Sequence, residues 1–118
     1  MDSVNGFVSS LRSGSVTVLT VTNSTIDLRN AKAFQRELVE RIGEEKQIVL
    51  DMKAVDFVDS AGLGGLISVL RNQLTRSGDV RLAGLSDRVV VLLEVTRLDR
   101  VFTIFPDVDH AVASYATA

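Results

Sequence analysis

No cysteine occurs in the 118 residues. Disulfides, thiolate metal sites and cysteine nucleophiles are therefore excluded, and the composition fits a reducing compartment. Tryptophan is absent too, and five Phe and one Tyr are the only aromatics. The core must then be mostly aliphatic, which favours helices packed on a sheet over an aromatic-rich binding groove. Neither sign of charge dominates: 13 Lys and Arg face 15 Asp and Glu, a net charge of −2, interspersed along the chain. Without a basic run there is no footprint for a phosphate backbone, so nucleic acid is not an expected partner. Apolar runs are short as well. The longest, residues 89–93, falls far below the roughly 20 residues that span a bilayer, so no membrane insertion is expected. Residues 1–10 carry an acidic residue and no apolar run, unlike a signal peptide. A cytoplasmic protein is the expectation.

What is present reads as one domain over 1–118, long enough to bury roughly two-thirds of the surface its unfolded chain exposes. Residues 7–11 and 16–21 alternate apolar and polar around Ser13-Gly14-Ser15, the pattern of a hairpin. After a polar loop at 23–25, Asp27 is placed to cap a helix whose apolar stripe is Ala31, Phe34, Leu38 and Ile42, with Gly43 ending it. Residues 47–50 form a nearly continuous apolar run ending in Asp51, as in a central strand. Residues 55–58 read as a loop with Phe57 tucked inward. From Ser60 the period is helical through Leu63, Leu66, Ile67, Leu70 and Leu74, and Gly78 is the expected stop. Residues 80–83 form a strand, and Ser86 caps a helix to about Val95. A last strand covers 101–105; Pro106 breaks it and Asp107 caps a terminal helix with Val108, Ala111, Val112 and Tyr115 inward. The alternation predicts an α/β fold: a mixed sheet of about five strands with about four helices mainly on one face, in the order β-β-α-β-α-β-α-β-α.

The most informative stretch is Asp59-Ser60-Ala61-Gly62-Leu63-Gly64-Gly65. A strand, a loop and a serine opening a helix put a hydroxyl where unpaired N–H groups and the helix dipole favour negative charge. Glycine in the first turns of a helix costs about 1 kcal/mol each relative to alanine. Their presence suggests a bare surface that a macromolecule can approach closely. A phosphate on Ser60 would add about −1.5 to −2 charge beside Asp59 and Asp56 and so remake binding there. On the physics alone, an N-cap serine followed by glycines for tight packing also accounts for the segment.

Context decides between these readings. Ile48-Val49-Leu50-Asp51, followed by Val55-Asp56-Phe57-Val58-Asp59-Ser60-Ala61-Gly62-Leu63-Gly64, resembles the STAS family of anti-sigma-factor antagonists and sulfate-transporter cytoplasmic domains. Ile26-Asp27, Arg81-Leu82-Ala83-Gly84-Leu85-Ser86 and Leu98-Asp99-Arg100-Val101-Phe102 extend the likeness over nearly the whole chain. The resemblance implies a phosphorylated serine at Ser60, with Asp59 before it and Asp27 as the loop aspartate presented to a partner. It implies a surface of Asp27, Asp59, Ser60, Ala61, Gly62, Leu63 and Gly64, with Gly62 and Gly64 permitting close approach. The implied partners are an anti-sigma factor that is also a serine kinase, and a serine phosphatase; no cofactor and no chemistry of its own are implied. Ser24 and Arg97 stand where the family usually has glycine. The first alters the loop beside Asp27; the second sets a cation near the C-terminal end of the third helix.

Other readings are weaker. A receiver domain phosphorylated at Asp51 needs an acidic pair after the first strand and a late lysine, and no lysine follows Lys53. His110, the only histidine, sits between Asp107 and Asp109 without a spacing that makes a metal or Ser–His site. The glycines lack the Gly-Lys-Ser/Thr end of a nucleotide loop. Residues 89–93 with Leu98 are apolar on more than one face, as in a buried helix; the alternative is a strip for a partner or for a second copy in a homodimer. A constitutive interaction or adaptor module in a signalling or transport assembly, with Ser60 only a cap, is the rival function.

Overall fold

Gly14 takes φ +62° at the first of two turn residues, as a two-residue hairpin loop requires. Across it β1 (Val8–Ser13) and β2 (Val16–Val21) pair antiparallel, with Val8 opposite Val21 and Ser13 opposite Val16. The structure, a computed structural model, describes residues 6–116; residues 1–5 and 117–118 of the chain lie outside the described residues. The remaining elements are β3 (Thr25–Ile26), α1 (Ala31–Ile42), β4 (Gln47–Asp51), β5 (Phe57–Val58), α2 (Ser60–Thr75), β6 (Asp79–Ala83), α3 (Asp87–Val95), a 3₁₀ turn (Leu98–Arg100), β7 (Thr103–Phe105) and α4 (Val108–Ala116).

The five-stranded sheet runs β1-β2-β4-β6-β7, and every pairing beyond the hairpin is parallel. Register sets the two faces. Leu19, Leu50 and Leu82 lie side by side and enter the main core with Phe34, Leu38, Leu66 and Leu93 from α1, α2 and α3. Their neighbours Val18 and Val49, with Ala83, point the other way, where α4 covers them with Ala111 and Tyr115. Three helices therefore share one face and one takes the other. Tyr115 fixes α4: its buried hydroxyl accepts from Ile48 N–H at 3.1 Å and donates to Ile48 C=O at 2.7 Å. Burial, then the nearby Asp79 carboxylate, pushes that hydroxyl's pKa up.

Several local expectations are corrected. Asp27 does not cap α1; Asn30 is the N-cap residue, and its side chain makes no capping bond. Asn30 instead accepts from Asp27 N–H and donates to Thr25 C=O, because β3 has already fixed this loop. Residues 57–58 are a strand, β5, paired parallel to β3. With Val58 turned into the core, strand alternation turns Phe57 outward, 43% exposed. α2 ends at Thr75, three residues before Gly78, because Ser77 takes the left-handed turn at φ +64°. Leu74 is exposed, and Gln73 is buried in its place, donating to the carbonyls of Glu45 and Lys46. The last strand is shorter than expected, since the 3₁₀ turn takes the approach to it.

Arg97 follows α3 at φ +64°, a conformation that costs a non-glycine residue roughly 1–2 kcal/mol. Glycine is the usual residue just past a helix end for that reason. Arg97→Gly should therefore stabilise the fold by about 1 kcal/mol and raise the melting temperature by roughly 4 °C. A lower melting temperature in calorimetry would show that the guanidinium, not the backbone, governs this turn.

Candidate functional site

The short β3–β5 pair builds the site. Ser24 C=O accepts from the N–H groups of Asp56 and Phe57, and Ile26 C=O accepts from Asp59 N–H at 3.1 Å. These bonds bring residues 24–29 against residues 56–60, about thirty positions apart in the chain. Asp59 then closes the junction. Its Oδ1 accepts from Gly62 N–H at 2.9 Å, capping α2, and its Oδ2 accepts from Leu28 N–H at 2.9 Å, holding the β3–α1 loop.

Because Asp59 is the cap, Ser60 is not. Ser60 is the first residue of α2 and exposed, and its hydroxyl makes no hydrogen bond to the described residues. The helix start around it supplies unpaired amides and the positive dipole end.

Asp27 lies on the same junction, one residue before Leu28. Arg29 engages it through Nη2–Oδ2 at 3.0 Å and through its backbone N–H to Oδ1 at 3.0 Å. The Arg29 side-chain bond, the largest cause, holds the Asp27 carboxyl below its usual pKa. Arg29 is itself mostly in solvent, 86% exposed along its side chain.

The glycines divide by role. A Cβ on Gly62 would lie 2.6 Å from Ile26 C=O oxygen and 2.7 Å from Val58 Cγ1, so this glycine is buried and lets α2 pack on β3 and β5. Gly65 is buried and faces α1 near Ala31 and Gln35. Of these three glycines of α2, Gly64 alone is bare surface, with nothing within 4 Å of where its Cβ would be. The expectation that Gly62 leaves room for a partner is thus corrected: the room is already filled by the chain itself. Leu63 is buried and Ala61 half-buried.

The structure places Asp27, Asp59, Ser60 and Gly64 around one junction and turns Gly62 and Leu63 inward. Sequence reasoning missed Leu28, 79% exposed beside Asp59, and the outward Phe57. A leucine between Asp27 and Arg29 in a loop was the available signal for the first.

The other candidates separate from this junction. Asp51 lies in register with Ala83, on the face covered by α4, and accepts from Lys53 N–H as a loop-capping carboxylate. His110 pairs with Asp107 at 2.8 Å at the exposed start of α4. No helix among the described residues is long and apolar enough to cross a membrane.

Comparison with known proteins gives a consistent picture. The family model described as "STAS domain" matches residues 9–111. The anti-sigma-B factor antagonist of Listeria monocytogenes is 34% identical over 80 residues, 67% of this chain and 70% of that protein. The crystal structure of an anti-sigma factor antagonist from Mycobacterium paratuberculosis superposes with a TM-score of 0.79 at 22% identity, covering 91% of each chain. Murine solute carrier 26 family member A9, an anion transporter, matches with a TM-score of 0.81 at 17% identity, covering 92% of this chain but 19% of the transporter.

Proposed function

The chain belongs to the STAS domain family, and from that premise we propose that it is an anti-sigma-factor antagonist switched by phosphorylation of Ser60. In this reading it is a cytoplasmic binding protein that performs no chemistry of its own. Its partner is an anti-sigma factor with serine kinase activity. The Ser60 hydroxyl attacks the γ-phosphorus of the kinase's ATP, the bond to the β–γ bridging oxygen breaks, ADP leaves, and the hydroxyl proton passes to a base on the kinase. A serine phosphatase reverses the change by transferring the phosphoryl group to water.

One observation carries the reading: the capping carboxylate is Asp59, which leaves the adjacent Ser60 hydroxyl exposed and unbonded. A phosphate there meets free amides of the helix start, so it is accommodated without unfolding α2. It also places about two negative charges among Asp27, Asp56 and Asp59, which alters any surface docked on the junction. The rival reading makes Ser60 only a cap in a constitutive module, and Asp59 already fills that role.

Incubation with the cognate kinase and ATP, followed by intact mass and peptide mapping, tests the assignment. One phosphate on wild type, absent from Ser60→Ala, is the expected result. No incorporation, or a phosphate that persists in Ser60→Ala, contradicts it.

A further inference from the structure

β1 is an edge of the main sheet: β2 pairs with one side of it, and no described strand pairs with the other. The opposite edge, β7, is three residues long, and shortness is an ordinary protection against pairing with a foreign strand. β1 lacks such protection. It runs six residues in unbroken register, so it has no bulge, and it contains no proline and one charge, Arg12. That charge is drawn onto Glu45 at 3.0 Å.

The bonding pattern fixes which groups the edge presents. Phe7 C=O accepts from Thr22 N–H, so these two residues are a hydrogen-bonded pair, and by alternation Ser9, Leu11 and Ser13 also bond to β2. The N–H and C=O groups of Val8, Ser10 and Arg12 therefore point outward. Glu37 of α1 occupies the start of this row: its carboxylate accepts from Phe7 N–H at 2.7 Å and from Val8 N–H at 3.3 Å. Ser10 and Arg12 remain. Between them stands Leu11, opposite Val18 on the same face of the sheet. α4 covers Val18 and leaves Leu11 68% exposed.

We propose that β1 pairs antiparallel with β1 of a second copy of this chain, in the register that sets Leu11 opposite Leu11 on the two-fold axis. Ser10 of each copy then faces Arg12 of the other, and their free backbone groups are all used in four hydrogen bonds. The two leucines become a non-hydrogen-bonded pair, with Cα atoms about 4.5 Å apart, the closest side-chain contact across a sheet. The neighbouring registers are worse. Ser10 opposite Ser10 brings Arg12 against Val8, whose N–H is held by Glu37. Arg12 opposite Arg12 sets like charges directly across from each other, which destabilises a strand pair. In a two-fold contact a residue on the axis meets itself, and the residue placed there is the uncharged, apolar Leu11. A strand of another protein gains nothing from this self-matching.

The contact is smaller than the roughly 800 Å² per partner of a stable interface, so wild type should dimerise reversibly at about 0.1–1 mM in sedimentation equilibrium. Leu11→Asp puts two carboxylates on the axis and should weaken association at least about tenfold. Its melting curve should match wild type, because the side chain is exposed. Since the chain has no cysteine, single cysteines read the register. Under copper–phenanthroline in air, Leu11→Cys should cross-link at least about tenfold faster than Ser10→Cys or Arg12→Cys. In this register residue 10 or 12 stands about 8 Å from its own copy, beyond the roughly 7 Å that a disulfide spans. Val101→Cys, 51% exposed beside the opposite edge, gives the rate of random collision. Cross-linking at position 11 no faster than at 101, or faster at 10 or 12, overturns the proposal. So does a wild type that stays monomeric through about 1 mM, a result that leaves the edge to a strand of another protein. None of these outcomes depends on whether Ser60 is phosphorylated.

Discussion

Gly62→Ala should lose about 2 kcal/mol of stability, although alanine is the better helix former. The added methyl would stand 2.6 Å from the Ile26 carbonyl oxygen and 2.7 Å from Val58 Cγ1. The first of these is backbone and cannot rotate away. Relief requires β3 to move off α2, which strains the Asp59–Ile26 and Asp59–Leu28 hydrogen bonds. Overpacking of this kind typically costs 1–3 kcal/mol and occasionally more, against about 1 kcal/mol gained in propensity. The melting temperature should fall by roughly 8 °C. Gly64→Ala, two residues on, should do the reverse, gaining roughly 0.5–1 kcal/mol because its Cβ meets nothing. Thermal denaturation of both variants decides the matter: if Gly62→Ala melts at or above wild type, the close approach of α2 to β3 is not as described.

Ser60→Asp should weaken binding to the kinase-type partner by at least about thirtyfold, roughly 2 kcal/mol, with stability nearly unchanged. The two halves of this expectation have separate causes. Position 60 is exposed and opens a helix, so a carboxylate there complements the dipole and disturbs no packing. The same charge joins Asp27, Asp56 and Asp59 at the proposed docking surface, where desolvation and like-charge repulsion both oppose binding. Titration calorimetry of wild type and Ser60→Asp against the partner reads the first half, and a melting curve reads the second. Equal affinities would remove the switch. A large loss of stability would mean that the binding defect is only unfolding.

Much of this was legible from the chain because periodicity reports burial. The stripe of Ala31, Phe34, Leu38 and Ile42 is buried as its spacing implied, and Ser86 caps α3 through Val89 N–H. The nearly continuous run before Asp51 is the central strand, covered on both faces. Where reading failed, the final backbone had given the local signal a different partner. Asp27 looked like a cap because it precedes a helix, but Asn30 and Arg29 engage it within a loop already fixed by β3. Residues 25–26 and 57–58 are too short to show alternation, and only their mutual pairing makes them strands. Gly78 looked like the helix stop, yet Ser77 takes the turn; Gly78 is small because a Cβ there would stand 2.8 Å from the Lys46 carbonyl oxygen.

The order of the five main-sheet strands and the four helices, the faces of α1 and α4 and the serine at a glycine-rich helix start were determined by the sequence alone, since each follows from spacing within a dozen residues. Tertiary structure decided which groups those elements leave available. Asp59 rather than Ser60 became the cap, Gly62 a packing contact rather than open surface, and Phe57 an outward residue rather than a core one. The last two outcomes depend on atoms brought together from about thirty positions apart. Hydrogen bonding and close packing allot every buried group to its nearest partner in space, and nearness in space is a property that no local pattern carries.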